Sequence, residues 1–504
     1  MCPFTFTAVA TSTWPESITV KTDFDAVIVG SGPNGLAAAV TLARAGCRVV
    51  VIEAKDEIGG GTRTRELTLP GLLHDVCSAT HPFAAASPFL RSLPLGDFGL
   101  QWRYAPIDMV HPLDDGTAGV LHRSLDDTAQ GLGVDGPRWR AAFGPLTRRF
   151  DELVEDALGP LLRWPSHPIV MARVGIRSAL PATAAARLFL TEQARALFLG
   201  CAAHLYQPLN GIGTAALGFM FLAAAHSYGW PVAEGGSAAI TSALATMLES
   251  LNGEIVTGVE VMSLRDLPTA PVTLFDTTPS AFVRITDGRQ RSRRASAYRR
   301  YRHGPAAFKV DFAVRGGIPW TAEEARRAGT VHVGGTAAEI AAAESQIAQG
   351  VMPDRPFILV GQQYLADPRR SRDDIHPIWT YAHVTRGFSG EATAVIRSQI
   401  ERFAPGFTER IAATHVMSPA ELEDYNPNYI GGDILTGANS LRQLFVRPAF
   451  GNPYRTGVDG MYLCSAATPP GAGAHGMCGY HAARQALSYL QRDHQIMPSP
   501  TGGS

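Results

Sequence analysis

Lysine is nearly missing from this chain. Of 44 basic residues in 504, only Lys21, Lys55 and Lys309 are lysines, and with 45 acidic residues the formal charge is −1. A chain so close to neutral has no electrostatic footprint for a nucleic acid, and none is expected as a partner. Cysteine is sparse as well. Cys2, Cys47, Cys77, Cys201, Cys464 and Cys478 include no C-x-x-C or C-x-x-x-x-C pair. That excludes a redox-active dithiol and the usual zinc spacings, so no metal is expected. Unpaired thiols fit a reducing cytoplasm. No apolar run approaches the roughly 20 residues of a membrane span. The nearest, Ala215 to Ala225, is interrupted by Gly218. It reads as a buried helix, with a peripheral membrane contact as the alternative. Residues 1–22 lack a basic start followed by an apolar core and read as a tail rather than a secretory signal.

What is present is an ordinary globular composition, 45% hydrophobic and 18% charged, in a chain long enough for more than one domain. Near its start, Gly30-Ser31-Gly32-Pro33-Asn34-Gly35 follows an apolar run and opens an alanine-rich helix, and a second apolar run, Arg48 to Ile52, ends at Glu53. This is the layout of a dinucleotide-binding βαβ unit. Gly30 permits the tight turn, Gly32 lets backbone approach a pyrophosphate, and Gly35 lets helix and strand pack closely. The helix N-terminus offers free N–H groups and partial positive charge to the phosphate. Glu53 stands where a carboxylate can accept from an adenosine ribose.

A second glycine-rich turn lies near the other end. Gly471, Gly473 and Gly476 also match G-x-G-x-x-G, but only one helix follows, with no further strand and no acidic strand end. A second βαβ unit is therefore excluded. The pattern from Gly460 to Gln491, strand then turn then helix, can instead return to the first domain and aim a helix N-terminus at the same cofactor.

These motifs, with Glu53 to Gly60, Asp75 to Pro82, Pro231 to Gly236, His303 to Asp311, Asn426 to Ile434 and Thr468 to Met477, resemble the phytoene desaturase-like, FAD-dependent oxidoreductases of the glutathione-reductase/amine-oxidase superfamily. Similarity is greatest to the phytoene dehydrogenase-related branch, which includes pyridine nucleotide-disulphide oxidoreductase domain-containing protein 2. The resemblance spans about residues 24–490. It implies an α/β fold: a Rossmann-like FAD-binding domain of the glutathione-reductase type with an interleaved α+β substrate-binding domain. The FAD domain would take residues 23–95, 229–285 and 440–495, the substrate domain 96–228 and 286–439, with tails at 1–22 and 496–504. It places the Gly59-Gly60 doublet over the cofactor diphosphate and the C-terminal turn near the flavin's pyrimidine edge, and it makes Ala54, Gly60, Gly61, Thr62, Arg63, Val259, Ser465, Gly473, Gly476 and Met477 cofactor-binding residues. The chain departs from many relatives in having Ser465-Ala466-Ala467 where a Gly-Asp pair usually meets the ribityl chain, so Ser465, Thr468 or backbone must serve there.

Catalytic candidates are fewer. Lys309 lies on an expected strand, Phe308 to Val314. It reads either as an edge-strand lysine facing water, or as a lysine positioning water, substrate or dioxygen beside flavin N5. Asp311 shares its face, so a Lys309–Asp311 pair is a third arrangement. His81 and His475 adjoin cofactor landmarks and are candidate proton-transfer groups. Tyr364, Tyr381 and His383 are candidate pocket residues. The implied reaction moves a hydride from a largely apolar small molecule to flavin. An amine oxidation and a flavin-dependent isomerisation without net redox change are alternatives, as is a non-catalytic flavoprotein. The electron acceptor (dioxygen, a quinone or a carrier) and the oligomeric state stay open.

Overall fold

The computed structural model describes residues 24–160, 162–290 and 292–496. The expected tails, 1–22 and 496–504, lie outside them except for Ile496, which ends the last helix. Two sheets organise the chain. The first is wholly parallel, in the order Met461–Leu463, Val272–Phe275, Ala26–Val29, Val49–Ile52, Glu254–Val256. Its two central strands, Ala-Val-Ile-Val and Val-Val-Val-Ile, are buried on both faces. Such β-branched runs without polar alternation suit a parallel sheet covered by helices. Helix Pro33–Arg44 covers one face, with proline in its first turn and nearly every side chain buried. Helix Met477–Ile496 packs across it. Their approach depends on Gly479, where a Cβ would lie 1.8 Å from the Asn34 carbonyl oxygen.

The second sheet has seven strands, in the order Ile411–Met417, Ala306–Arg315, Ile375–Val384, Ile358–Gly361, Ala328–Val333, Ile107–Pro112, Ala118–Leu121. All pairs are antiparallel except Ile107–Pro112 against Ala328–Val333. Helices between residues 136 and 228 form a layer over one end. Helix Ala215–Tyr228 is tightly seated there, since a Cβ on Gly218 would lie 3.2 Å from the Phe198 ring. No described helix is long and apolar enough to cross a membrane.

Several expected elements change. The stretch 98–228, read as helical and irregular, also supplies two strands of the second sheet. The expected helix Pro145 to Leu162 is two helices, Gly136–Thr147 and Phe150–Ala157. The expected helix Ala179 to Ala203 keeps only Glu192–Ala203, begun by the Thr191 side chain accepting from the Ala194 N–H, plus two short turns. Ile411–Met417 was not foreseen: its pattern is weak, and pairing with Ala306–Arg315 fixes it.

Candidate active site

The strand-to-helix turn places its glycines as backbone elements. Gly30 has φ +101°, the left-handed range that favours glycine. A Cβ on Gly35 would lie 2.0 Å from the Gly30 carbonyl oxygen. The second loop leans on this turn: the Gly59 N–H donates to the Ser31 carbonyl at 3.1 Å, and a Cβ on Gly60 would lie 3.0 Å from Gly32 Cα. Gly32, at the cap position, brings no side chain of its own to the helix end. Asn34 is buried beside it with its Oδ1 unpaired.

Glu53 already holds the turn together. Its Oε2 accepts from the Ser31 N–H at 2.9 Å and the Ser31 hydroxyl at 2.6 Å, and its Oε1 from the Lys55 N–H at 3.0 Å. Arg63, expected to bind the cofactor, is engaged with protein groups. Its guanidinium donates to the carbonyls of Glu57, Ile58 and Gly60 and to Glu53 Oε1, and lies over the Tyr425 ring. It pins the glycine loop, and Tyr425 adds a hydroxyl bond to the Gly60 carbonyl at 2.6 Å. The Val259 N–H is used by the Glu53 carbonyl.

One residue here was missed. Asp276, just past strand Val272–Phe275, accepts from the Gly35 N–H at 2.9 Å and would meet a Gly32 Cβ at 2.7 Å. Burial pushes its carboxyl up to about 7, opposed by the Gly35 N–H and helped by the Glu53 charge. A single aspartate after an apolar run carries no sequence signal, since only the parallel pairing brings it to this helix end.

From this turn a continuous cavity of about 1280 Å³ runs to the seven-stranded sheet, where Thr330, Leu359, Trp379 and Tyr381 line it. It exceeds the roughly 300–1,000 Å³ of one small-molecule site. Val29 to Asn34, Glu53 to Lys55, Gly60 to Arg63, Val259 and Asp276 line its near end. Ser465, Gly473 and His475 line its middle. Gly476 and Met477 stand behind the wall: a Gly476 Cβ would lie 2.9 Å from Ala37, and the Met477 N–H donates to His475 Nδ1 at 3.1 Å. The neutral ring of His475 therefore carries its proton on Nε2. Burial lowers His475 to about 4.

His81 also lines the cavity and is lowered to about 4, chiefly by burial and further by the Arg370 charge. Its Nε2 donates to the Ser237 hydroxyl at 2.8 Å, whose own proton goes to the Ser78 carbonyl. The neighbouring Asp75 binds the fully buried Arg370 at 2.6 Å, tying the segment that precedes His81 to the turn before strand Ile375–Val384. Both histidines are neutral at pH 7.

The far chamber is largely apolar, with Met171, Val174, Met220, Phe221, Leu359 and Trp379 on its walls. Tyr381 lines it, whereas Tyr364 is stacked on His376 outside it. His383 lies behind it, its Nδ1 2.6 Å from Glu344. Tyr206, Trp230 and Thr330 line the cavity with side-chain polar atoms left unpaired.

Lys309 requires correction. It is no edge-strand residue: Tyr381 and Met417 flank it in register on either side, and it is 2% exposed. Its ammonium is ion-paired with Asp311, and it does not line the cavity. Asp311 is held well below the ordinary carboxylate range because Lys309, His415 and His74 outweigh the burial. The cluster reaches solvent through His415, whose side chain is 33% exposed.

Residues 28–93 match the NAD(P)-binding Rossmann-like domain family. Over 92% of its length the chain is 24% identical to pyridine nucleotide-disulfide oxidoreductase domain-containing protein 2 of Mus musculus, covering 93% of that protein. A putrescine oxidase triple mutant superposes with a TM-score of 0.61 at 19% identity, over 93% of this chain and 99% of that one. A fatty acid isomerase of P. acnes that produces CLA superposes at 0.55 and 15% identity, over 94% and 100%. The structural likenesses establish the fold. The resemblance drawn from the motifs thus extends over nearly the whole chain. The described cysteines are all free of disulfide bonds.

Proposed function

We propose that this protein is an FAD-dependent oxidoreductase that takes a hydride from a largely apolar small molecule. The observation that carries the reading is the continuity of the cavity: one space joins a dinucleotide turn, a glycine-rich turn with a buried neutral histidine, and an apolar chamber. The residues fit the cofactor, because Gly32 and Gly60 leave a groove that side chains would fill and Asn34 carries an unpaired buried oxygen beside it. FAD, when bound, supplies the hydride acceptor. The chain's share is orientation and dryness: apolar walls exclude water, and His81 and His475, both uncharged, add no fixed charge.

An amine substrate suits the chamber poorly. The carboxylates lining the cavity, Glu53, Glu260, Asp276, Glu423 and Asp424, belong to elements around the dinucleotide turn and the glycine loop. The test is an anaerobic spectrum with candidate apolar substrates, followed by air. Bleaching of the flavin and its return support the reading. A converted product with unchanged oxidation state would assign isomerisation instead, and a flavin indifferent to every substrate would overturn the reading.

Two consequences concern the cofactor end. Glu53→Ala should weaken FAD binding by roughly 1.5–3 kcal/mol, the value of a charged hydrogen bond, which is about 10- to 150-fold. Turnover at saturating FAD should hardly change, and a large fall in turnover at normal FAD content would contradict the placement. Asp276 adds a pH dependence. A diphosphate drawn to the same helix end disfavours its ionised form, so binding takes up a proton above pH about 7. FAD affinity should then fall as pH rises from 7 to 9, by at most about tenfold per unit. Asp276→Asn should flatten the profile. A wild-type affinity constant across pH 6–9, measured by titrating apoprotein with FAD, would rule this out.

A further inference from the structure

Arg447 is a buried cation that no carboxylate neutralises. It is 3% exposed and lines the cavity. One terminal nitrogen donates to Asn439 Oδ1 at 3.1 Å, the other to the Leu435 carbonyl at 3.4 Å, and Nε has no partner. Among the described residues no Asp or Glu forms an ion pair with it. Other buried arginines here are paired: Arg63 with Glu53, Arg370 with Asp75. A guanidinium presents five donors in a plane; here Tyr301 lies against it as well, and Nε is the nitrogen left without a partner. An uncompensated buried charge is costly, and retaining one facing a cavity makes sense when the ligand supplies the counter-charge.

The guanidinium lies between the C-terminal glycine turn, where a Gly471 Cβ would meet one terminal nitrogen at 3.1 Å, and the chamber. Asn439, which accepts from Arg447, donates in turn to the Leu205 carbonyl at 3.2 Å, beside Tyr206 with its unpaired hydroxyl. Leu441, Leu444 and Phe445 line the same stretch, and Leu441 and Phe445 are half-exposed. The other lining cations, Lys55, Arg63 and Arg284, belong to segments around the dinucleotide turn. The chamber thus combines apolar walls, one fixed positive charge and no carboxylate.

Resting on the oxidoreductase reading of this cavity, we propose that the substrate is an apolar carboxylic acid whose carboxylate is held by Arg447, with Asn439 fixing the guanidinium plane. Arg447 is a specificity-determining residue in this scheme: planar two-point binding of a carboxylate selects acids over alcohols and repels amines.

The test compares decanoate, 1-decanol and decylamine as probes of the FAD-loaded protein by titration calorimetry, which needs no turnover. Decanoate should bind at least tenfold more tightly than 1-decanol, and decylamine more weakly than either. Arg447→Met should bring decanoate to the level of 1-decanol, leaving 1-decanol binding and FAD content unchanged, and Arg447→Lys should restore part of the preference. Equal binding of decanoate and 1-decanol by the wild type overturns the proposal without any variant. So does an Arg447→Met protein that keeps the preference, or one that keeps it while losing sulfite addition to the flavin, which would assign Arg447 to the cofactor. A protein whose flavin no substrate bleaches refutes the oxidoreductase reading alone, because the decanoate preference is measured independently.

Discussion

Lys309→Met should destabilise the protein by about 3–5 kcal/mol at pH 7, the cost of removing one partner from a buried ion pair. The two side chains are 3% and 0% exposed, on a strand flanked by neighbours on both sides. Methionine keeps the length and apolar volume, so the loss is electrostatic rather than a cavity. What remains is Asp311, dry and facing only His74 at 3.5 Å and His415 at 3.8 Å. The sign with pH follows. In the wild type Asp311 is depressed, so its contribution is present above the ordinary carboxylate pKa and is lost as pH falls below about 4. In the variant, burial without the lysine raises Asp311, the native state binds the extra proton, and the deficit shrinks from pH 8 to pH 5. Lys309→Met/Asp311→Leu should recover most of the loss, because replacing both partners by apolar groups leaves no orphan charge. Denaturant unfolding at several pH values reads all of this. A Lys309→Met protein of wild-type stability but impaired flavin turnover would restore the catalytic reading of this lysine.

That reversal shows where sequence reasoning ends. The dinucleotide turn was legible because each glycine answers a local demand: Gly30 a positive φ, Gly35 a backbone approach that a Cβ would block. The same holds for the C-terminal turn, where Gly471, Gly473 and Gly476 all have positive φ. Lys309 is the opposite case. The alternation Phe308, Lys309, Val310, Asp311 announces a strand but not its neighbours. Whether the lysine meets water or a closed ion pair depends on Ile375–Val384 and Ile411–Met417, which are more than 60 residues away. The chamber is equally non-local, since Met171, Phe221, Trp379 and Arg447 meet only after two sheets and a helical layer have assembled. Arg447 is one arginine among many in the sequence; its burial without an acid partner distinguishes it.

Gly32→Leu should abolish FAD retention, with a loss of at least about 100-fold in affinity and little change in folding. The argument turns on where a side chain at this position would go. Gly32 has φ −67°, a backbone conformation open to any residue, so no strain is imposed there. A Cβ would meet Asp276 Oδ2 at 2.7 Å, the far end of a side chain that can swing aside, and Gly60 Cα no nearer than 4.0 Å. The leucine branches would therefore project across the groove between the first glycine turn and the Gly59–Gly60 loop. That groove is where the proposed diphosphate must reach the N-terminal end of helix Pro33–Arg44, beside the Asp276 carboxyl that accepts from the Gly35 N–H. Displacing it costs both the backbone contacts and the favourable helix-end charge. Gly35→Leu is the informative contrast: its Cβ would lie 2.0 Å from a backbone oxygen, so that variant should lose the fold together with the cofactor. The two are separated by circular dichroism and by the flavin absorbance of the purified proteins. A Gly32→Leu protein that purifies with stoichiometric FAD would remove the diphosphate from this turn and the cofactor assignment with it.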